Sequence, residues 1–367
     1  MLDTLSMKMC VNYHHLLCLL LWLTQCMASD VLSDDQSIVL PMLMPEVQPT
    51  QKETYLCTAF KMHSREHRYI VEFQPNATMN TAHHILIYGC KIPGYHERDT
   101  PRIVWDCGEM ANSKSEYIRA PTCASGSEII YAWAMDAPAL VLPQGVGFKV
   151  GGDTGVNYLV LQVHYANVDK FINGGFDNSG IILKLLPQNT KKVNKRAGVL
   201  LLGTGGMISN KSLEHMETAC TIDEPLELHP FAFRTHTHKL GKVVSGWRIT
   251  PDGRWTLVGR HNPLKPQMFY SVKNKDLVIR EGDVMAARCT MDNYLPNIIR
   301  IGSTGDDEMC NFYMMYYVNG DTILEKKYCF TAGPPFYYWS TDPIIPNDGY
   351  VPKTIDIEAS RLSEDEQ

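Results

Sequence analysis

Residues 242–259, KVVSGWRITPDGRWTLVG, carry the local pattern that characterises this chain. Two runs rich in β-branched and aromatic residues, at 242–249 and 255–259, flank the turn residues Pro251-Asp252-Gly253. This arrangement predicts a β-hairpin. Similar runs recur along the chain and long helical periodicity is absent, which together predict an all-β protein. The other predicted strands are residues 69–73, 85–89, 129–133, 158–165, 180–186 and 312–318.

Composition supports a folded protein of two domains. The 367 residues are 44% hydrophobic and 10% aromatic, with a net charge of −6. A disordered chain would have fewer aromatic residues, and a nucleic-acid binder would carry a basic surplus. At ~100 to 200 residues per domain, the length predicts two antiparallel β-sandwich domains in tandem, at 45–187 and 197–340. The polar stretch 186–196, LPQNTKKVNKR, is the predicted linker, and 346–367 form an acidic tail whose end, 356–367, we expect to be mobile.

The N-terminal residues 1–29 have the layout of a cleavable secretory signal. The apolar run 16–23, LLCLLLWL, follows Lys8 and precedes the small residues Ala28 and Ser29. This run is too short for a transmembrane helix, which needs ~20 apolar residues. We therefore expect a mature chain without a stable membrane span that enters the secretory pathway, in a secretory granule or as a secreted protein.

The cysteines agree with that compartment. Three of the eleven cysteines lie in the signal segment, so eight remain. An even number in an oxidising compartment predicts four disulfides, although counting leaves their pairing open. The sequons at Asn76 and Asn210 predict N-glycosylation. The eight cysteines are Cys57, Cys90, Cys107, Cys123, Cys220, Cys289, Cys310 and Cys329.

Two short segments have the alternation needed for a metal site in strands. In a strand alternate side chains share a face, so His236 and His238 point the same way, together with Arg234. An isolated His-x-His is more often two ordinary strand histidines than a metal site. The second segment places Met309, Asn311 and Tyr313 on one face, and a methionine sulfur is a soft ligand that selects Cu(I).

Three further histidines form a second candidate set. His83 and His84 precede a predicted strand, and His164 lies in another with Gln162 on its face. Neighbouring residues of a regular strand point to opposite faces, so His83 and His84 can bind one metal only at a strand end or bulge.

A different motif, His63-x-x-Glu66-His67, matches a zinc-hydrolase pattern that functions on a helix. Here the motif lies between two predicted strands, so we expect it to form a charged hairpin loop. Of the functions considered for this chain, a zinc hydrolase is the least favoured.

Four segments in order give a more specific signal than any single motif. They are 81–90 (TAHHILIYGC), 161–165 (LQVHY), 229–238 (HPFAFRTHTH) and 307–313 (DEMCNFY). They resemble peptidylglycine α-hydroxylating monooxygenase, of the copper type II, ascorbate-dependent monooxygenases, over roughly residues 45–340. The resemblance implies two jelly-roll-like β-sandwiches that face each other across a solvent-filled cleft, each with one of two copper ions.

The resemblance also implies roles for individual residues. The implied ligands of an electron-transfer copper are His83, His84 and His164. The implied ligands of the catalytic copper, where O2 and substrate meet, are His236, His238 and Met309. The residues implied to bind a substrate's C-terminal carboxylate are Arg234, Asn311 and Tyr313. Two residues that match positions near the electron-transfer copper are Tyr55 and Gln162.

The disulfide pairing can be carried over in the same way. The implied pairs are Cys57 with Cys107, Cys90 with Cys123, Cys220 with Cys329, and Cys289 with Cys310. A fifth disulfide of the family has no cysteine at either position here. The stretch between Cys107 and Cys123 is longer than in the family, so residues 108–122 read as an inserted loop.

The implied activity is the first step of peptide C-terminal amidation, as in neuropeptide processing. It would hydroxylate the α-carbon of the C-terminal glycine of glycine-extended peptides, with ascorbate as electron donor. Because the sequence ends at Gln367, we expect a separate lyase to act downstream. The alternatives are a dopamine- or tyramine-type β-monooxygenase and a non-enzymatic secreted copper-binding protein.

Overall fold

A computed structural model describes residues 37–95, 103–108, 116–302 and 304–366 of the chain. The predicted signal segment 1–29 and residues 109–115 of the predicted inserted loop lie outside these ranges. No helix of the described residues is both long enough and apolar enough to cross a bilayer.

The described residues form an all-β fold, as the sequence predicts. The strands are β1 (Ile38–Leu43), β2 (Thr54–Lys61), β3 (His67–Asn76), β4 (His84–Cys90), β5 (Ile92–Pro93), β6 (Val104–Asp106), β7 (Cys123–Ser125), β8 (Glu128–Ala134), β9 (Leu140–Val141), β10 (Gly145–Gly151), β11 (Tyr158–Tyr165), β12 (Gly180–Pro187), β13 (Val193–Thr204), β14 (Met207–Ile208), β15 (Ser212–Thr221), β16 (His229–His236), β17 (Gly241–Ile249), β18 (Trp255–His261), β19 (Tyr270–Ser271), β20 (Val284–Asn293), β21 (Ile299–Arg300), β22 (Asn311–Val318) and β23 (Tyr328–Thr331). The helices are α1 (Asp169–Ile172), α2 (Lys353–Ser360) and two 3-10 turns, Trp339–Thr341 and Glu364–Glu366.

The predicted hairpin is present. Strands β17 and β18 pair antiparallel, with Ile249 opposite Trp255. Gly253 in the turn has φ +81°, a backbone conformation that glycine adopts without steric cost.

The first half of the chain packs two sheets around one core. A five-stranded antiparallel sheet has the order β6-β2-β11-β4-β8, and β1-β12-β3-β10 form one end of a larger sheet. Phe73 of β3 stacks on Tyr131 of β8 across this core, with 4.4 Å between ring centroids. Burying such alternating apolar faces against each other is the main driving force for a sheet packing of this kind.

The second half repeats this layering with different strands. The order β13-β22-β16-β19 continues the larger sheet, and β15-β20-β17-β18 form a separate four-stranded sheet. Two glycines let aromatic rings approach the backbone: a Cβ at Gly246 would lie 2.2 Å from Phe312, and one at Gly259 would lie 2.3 Å from Phe233. Larger residues at either glycine would force these packed rings to move.

The two halves share a continuous sheet because β10 pairs in parallel with β13. The linker is therefore shorter than the predicted 186–196. Leu186 and Pro187 complete β12, and β13 already begins at Val193. The polar side chains that suggest a linker are compatible with a strand, since only the backbone must pair. The domain limits 45–187 and 197–340 stay a prediction.

The acidic C-terminal segment is docked, so the prediction of a mobile tail was wrong. Asp356 of α2 accepts a hydrogen bond from Arg288 Nη1 at 2.8 Å, and Glu366 pairs with Arg260 Nε at 2.8 Å. Ser245 Oγ also donates to the carbonyl of Ala359, at 3.0 Å. Acidic residues that read as a solvated tail are instead the partners of buried arginines on β18 and β20.

Replacing Arg288 with Met tests the buried charge pair beneath this segment. Arg288 Nη2 lies 2.5 Å from Glu217, and both side chains are only 4% exposed. Removing the cation leaves the Glu217 carboxylate buried and unpaired, which we expect to lower the free energy of unfolding by about 3–5 kcal/mol in urea denaturation. Arg254→Met breaks an exposed pair with Asp252 and should change the stability far less, because solvent screens that pair. Equal losses of stability in Arg288→Met and Arg254→Met would contradict the expectation that the buried pair contributes more than the exposed one.

Candidate active site

Three histidines meet where β11 lies between β2 and β4. In the pairing register His164 is opposite Tyr55 of β2 and His84 of β4. His83 is the residue just before β4, and its backbone N–H donates to the carbonyl of His164 at 2.9 Å. The adjacent histidines can share one site because His83 lies at a strand end, one of the two irregularities that the sequence argument requires.

The three imidazoles present the same ring nitrogen to one another. His164 Nδ1 lies 3.2 Å from His83 Nδ1 and 3.4 Å from His84 Nδ1. Two nitrogens bound tetrahedrally to one ion at ~2.0 Å each would be ~3.3 Å apart, so the observed spacing fits a metal. Among the residues that the structure describes, this is the group of three or more His, Cys, Asp or Glu that could hold an ion.

His84 and His164 are buried, and His83 is exposed at its edge yet surrounded closely enough to be desolvated. Desolvation favours the neutral imidazole, which is the form that binds metals. Desolvation lowers the pKa of His83 to about 4, assisted by the positive charge that His164 would carry. It lowers the pKa of His84 well below the usual value. For His164 burial also lowers the pKa, although a hydrogen bond from Nε2 to Glu53 at 2.9 Å acts in the opposite direction.

Tyr55 and Gln162 lie on the face of the sheet that carries His164. The Tyr55 ring stacks on His164 with 4.1 Å between centroids and 6° between planes. Gln162 donates instead to Thr122 Oγ1 at 3.1 Å and to Cys107 Sγ at 3.5 Å. Tyr55 therefore contacts the histidine cluster, whereas Gln162 supports the adjoining disulfide.

A second histidine pair lies at the end of β16. In the register with β22, Arg234 is opposite Tyr313 and His236 is opposite Asn311. His236 Nδ1 donates to Gln267 Oε1 at 2.6 Å, and His238 Nδ1 donates to the carbonyl of Asp307 at 2.9 Å. With both Nδ1 atoms used in this way, the Nε2 atoms carry the lone pairs that could bind a metal.

Glu308 holds the segment that carries Met309. Its buried carboxylate accepts from the backbone N–H groups of His238 and Leu240, at 2.8 and 2.6 Å, and from that of Met309 at 3.3 Å. The turn after β16 and the segment before β22 are thus fixed to one side chain. Asn311 Nδ2 contacts Met309 Sδ at 3.8 Å.

Arg234 is buried without an acidic partner. Its side chain donates from Nε to the carbonyl of Gln267 at 2.9 Å and from Nη2 to Gln267 Oε1 at 3.1 Å. The guanidinium also lies 5.1 Å from the centre of the Tyr313 ring. Burial lowers the pKa of Arg234 from its ordinary value, which Tyr313 partly offsets. No carboxylate among the described residues forms an ion pair with it.

Both histidine clusters line one cavity of about 290 Å³. The rings of His84 and His236 are 5.9 Å apart between centroids. The cavity also contacts Glu53, Lys239 and Gln267. Histidines of both candidate ligand sets, from distant parts of the sequence, therefore face the same cavity, whereas Met309 and Arg234 are not among the residues that line it.

The His63-x-x-Glu66-His67 motif forms no such cluster. His63 Nδ1 accepts from the Glu66 backbone N–H at 3.0 Å, and His67 Nε2 lies 3.2 Å from the hydroxyl of Tyr69. Residues 63–66 form an exposed loop between β2 and β3, but these two strands lie in different sheets, so the loop was predicted correctly and the hairpin was wrong. Both histidines are already used in local contacts.

The structure contains four disulfides with the partners that the resemblance implies. They are Cys57–Cys107, Cys90–Cys123, Cys220–Cys329 and Cys289–Cys310. The last one connects β20 to the residue that follows Met309. It therefore restrains the same segment that Glu308 holds.

Sequence reasoning missed Gln267, Glu308 and Glu53. Gln267 is buried and also donates from Nε2 to the carbonyls of Thr237 and Pro263, at 3.1 and 2.9 Å. A single glutamine or glutamate far along the chain has no periodicity that marks it. Only Glu308 had a nearby signal, since it directly precedes Met309.

Fold and site together define a class: an all-β protein with two histidine clusters around a common cavity, the second connected through Gln267 to a buried arginine and through Glu308 to a methionine. Comparison with known families makes this specific. Residues 40–172 match the description "Copper type II ascorbate-dependent monooxygenase, N-terminal domain", and residues 195–342 match the C-terminal domain of the same family. The chain belongs to the copper type II ascorbate-dependent monooxygenase family.

Individual relatives fall into two groups. The chain is 37% identical over 323 residues to peptidyl-glycine alpha-amidating monooxygenase A of Xenopus laevis, which covers 85% of this chain and 32% of the relative. It is 36% identical over 299 residues to the Rattus norvegicus amidating monooxygenase, 81% of this chain and 28% of the relative. Human dopamine beta-hydroxylase is 29% identical to the chain over 307 residues. The match covers 77% of this chain and 46% of the relative. The chain spans about a third of the length of these amidating relatives.

Replacing Gln267 with Leu tests its hold on the second cluster. The variant keeps side-chain bulk but removes the acceptor for His236 Nδ1, and losing such an outer contact typically weakens metal binding ~10–100-fold. We expect that loss for copper bound at His236, measured in a titration against a competing chelator. Gln74→Leu, on the exposed face of β3, is the matched control. Unchanged copper affinity in Gln267→Leu would show that His236 is oriented by other contacts.

Proposed function

We propose that this chain is a copper- and ascorbate-dependent monooxygenase that hydroxylates the C-terminal glycine of glycine-extended peptides at its α-carbon. The observation that carries the proposal is Arg234, a buried guanidinium beside His236 that lacks an acidic partner among the described residues. A buried cation without an anion is costly, so a site that retains one suits an anionic ligand. A peptide's terminal carboxylate is such a ligand, and it matches the planar guanidinium through paired hydrogen bonds.

The residues around Arg234 would fix the end of the peptide. Gln267 holds the guanidinium and His236 together, so a carboxylate on Arg234 would set the distance of the glycine α-carbon from the second cluster. Asn311 and Tyr313 lie on the same face of β22 and could complete the carboxylate contacts. Such positioning of a substrate can contribute much of a rate enhancement.

The two clusters would hold two copper ions. Three imidazoles suit copper in an electron-transfer role, and the proposed ligands are His83, His84 and His164. A thioether with two imidazoles supports both Cu(I) and Cu(II), and the proposed ligands of the second ion are His236, His238 and Met309. When bound, copper would supply the one-electron chemistry with O2 that ascorbate sustains, and the protein supplies orientation and exclusion of water.

An amine-hydroxylating enzyme is the nearest alternative. It is less favoured because dopamine and tyramine have no carboxylate to neutralise Arg234. A non-enzymatic copper-binding protein is also less favoured, because the sequence has every proposed ligand residue. We further propose a separate lyase that cleaves the hydroxyglycine product.

We place the protein in the secretory pathway. Four disulfides are typical of an oxidising compartment. The sequon residues Asn76 and Asn210 are both exposed, which is necessary for glycosylation.

The direct test is hydroxylation of a short glycine-extended peptide by the purified, copper-loaded chain with ascorbate. We expect hydroxyglycine product from the wild type and at least ~100-fold less from Met309→Ala, since the variant removes the soft ligand. Met207→Ala, a partly buried methionine of β14, should keep activity. Hydroxylation of tyramine but not of the peptide would favour the amine alternative, and no product at all would favour a binding protein.

Arg234→Lys tests carboxylate recognition separately. Lysine keeps the charge but loses the paired geometry, so we expect a loss of about 3 kcal/mol of substrate binding, or ~100-fold in KM. The preference for a peptide ending in glycine over its C-terminal amide should fall correspondingly. Arg280→Lys, in an exposed ion pair with Glu227, is the control. A normal KM and a retained preference in Arg234→Lys would exclude this role.

A further inference from the structure

We propose that Glu53 is a positioning residue that orients His164 for metal binding and connects the first histidine cluster to the loop at residues 304–307 in the second half of the chain. The proposal rests on the copper assignment made above. It concerns a carboxylate that no motif of the sequence marks.

One carboxylate oxygen of Glu53 makes both contacts. Glu53 Oε2 accepts from His164 Nε2 at 2.9 Å and from the backbone N–H of Gly305 at 3.2 Å. Because Nδ1 of His164 faces the other two histidines, Nε2 is the ring nitrogen left for an outer partner. A carboxylate on the second nitrogen of a metal-binding histidine fixes the ring's tautomer and orientation and raises its basicity.

The backbone conformation of Glu53 also supports a specific role for its side chain. Glu53 has φ +59°, in the left-handed region, which costs a residue with a side chain about 1 kcal/mol or more. The residue lies in the turn directly before β2, where glycine would adopt this conformation freely. This position is nevertheless a glutamate, and its side chain contacts His164 and Gly305 in distant parts of the chain.

The partner loop leads to the second cluster. Lys239 Nζ donates to the carbonyl of Gly305 at 2.9 Å, and the carbonyl of Asp307 accepts from His238 Nδ1 at 2.9 Å. Thr304 Oγ1 donates to Asp307 Oδ2 at 2.6 Å and closes the loop on itself. A continuous path of contacts thus runs from His164 through Glu53 and this loop to His238.

This path predicts how the two clusters respond to changes at Glu53. Removing the carboxylate frees the ring of His164 and leaves the Gly305 N–H without its acceptor. The first effect weakens metal binding at the three-histidine cluster, and the second loosens the loop that holds His238. Contiguity alone is no proof of coupling, so both ends need a measurement.

The test compares Glu53→Gln and Glu53→Gly with wild type. Glutamine keeps an acceptor oxygen without the charge, and glycine removes the side chain while accepting the positive φ without strain. We expect Glu53→Gly to bind one of two Cu(II) ions ~10–100-fold more weakly in a chelator competition, with a changed electron paramagnetic resonance spectrum for that ion. Glu53→Gln should fall between it and wild type. Hydrogen exchange at the Gly305 amide should be faster in Glu53→Gly.

Glu46→Gln provides the control, since Glu46 is exposed and also has a positive φ, +54°. It should match wild type in every readout. Wild-type copper affinity, spectrum and Gly305 exchange in Glu53→Gly would overturn the proposal.

Failure of the copper assignment gives a different result. In that case wild type itself would bind no copper that His164→Ala removes, which would overturn the copper assignment and this proposal together. If wild type binds copper that His164→Ala removes, and Glu53→Gly still behaves like wild type, only the positioning role of Glu53 is overturned.

Discussion

The pairing register between β16 and β22 is the constraint on which the proposed chemistry depends. Side chains alternate faces along a strand, so one register places Arg234 and His236 on the face shared with Tyr313 and Asn311. The opposite face of the same two strands carries Phe233 and Phe312, which stack in the core. A slip by one residue would exchange the two faces, moving Arg234 into the aromatic core and the aromatic rings into the site. Core packing and site geometry are therefore determined together.

Burial determines the protonation and the hydrogen bonding of the side chains in the site. His84 and His236 are desolvated and therefore neutral, and Arg234 has hydrogen-bond partners but no counter-ion among the described residues. Polar groups removed from water must be satisfied by specific partners, which is why Gln267 and Glu308 each make several hydrogen bonds. The continuous sheet through β10 and β13 holds these parts in one frame.

Alternation explains how much of the site could be predicted. His236 and Arg234 share a face because they are two residues apart, and the same holds for Asn311 and Tyr313. The strand at 158–165 and the hairpin at 251–253 also follow from local sequence, the hairpin from its turn residues Pro251-Asp252-Gly253. Contacts between residues far apart in sequence carry no such rule: Glu53 and Gly305 are 252 residues apart. The acidic tail was misread for this reason, since the partners of Glu366 and Asp356 are Arg260 and Arg288, which lie 106 and 68 residues upstream on β18 and β20.

The disulfide between Cys289 and Cys310 makes the methionine segment dependent on where the protein is kept. Cys310 directly follows Met309, so the covalent link that restrains this segment exists only where thiols are oxidised. A copy retained in a reducing compartment would lose that restraint while keeping every residue of the site.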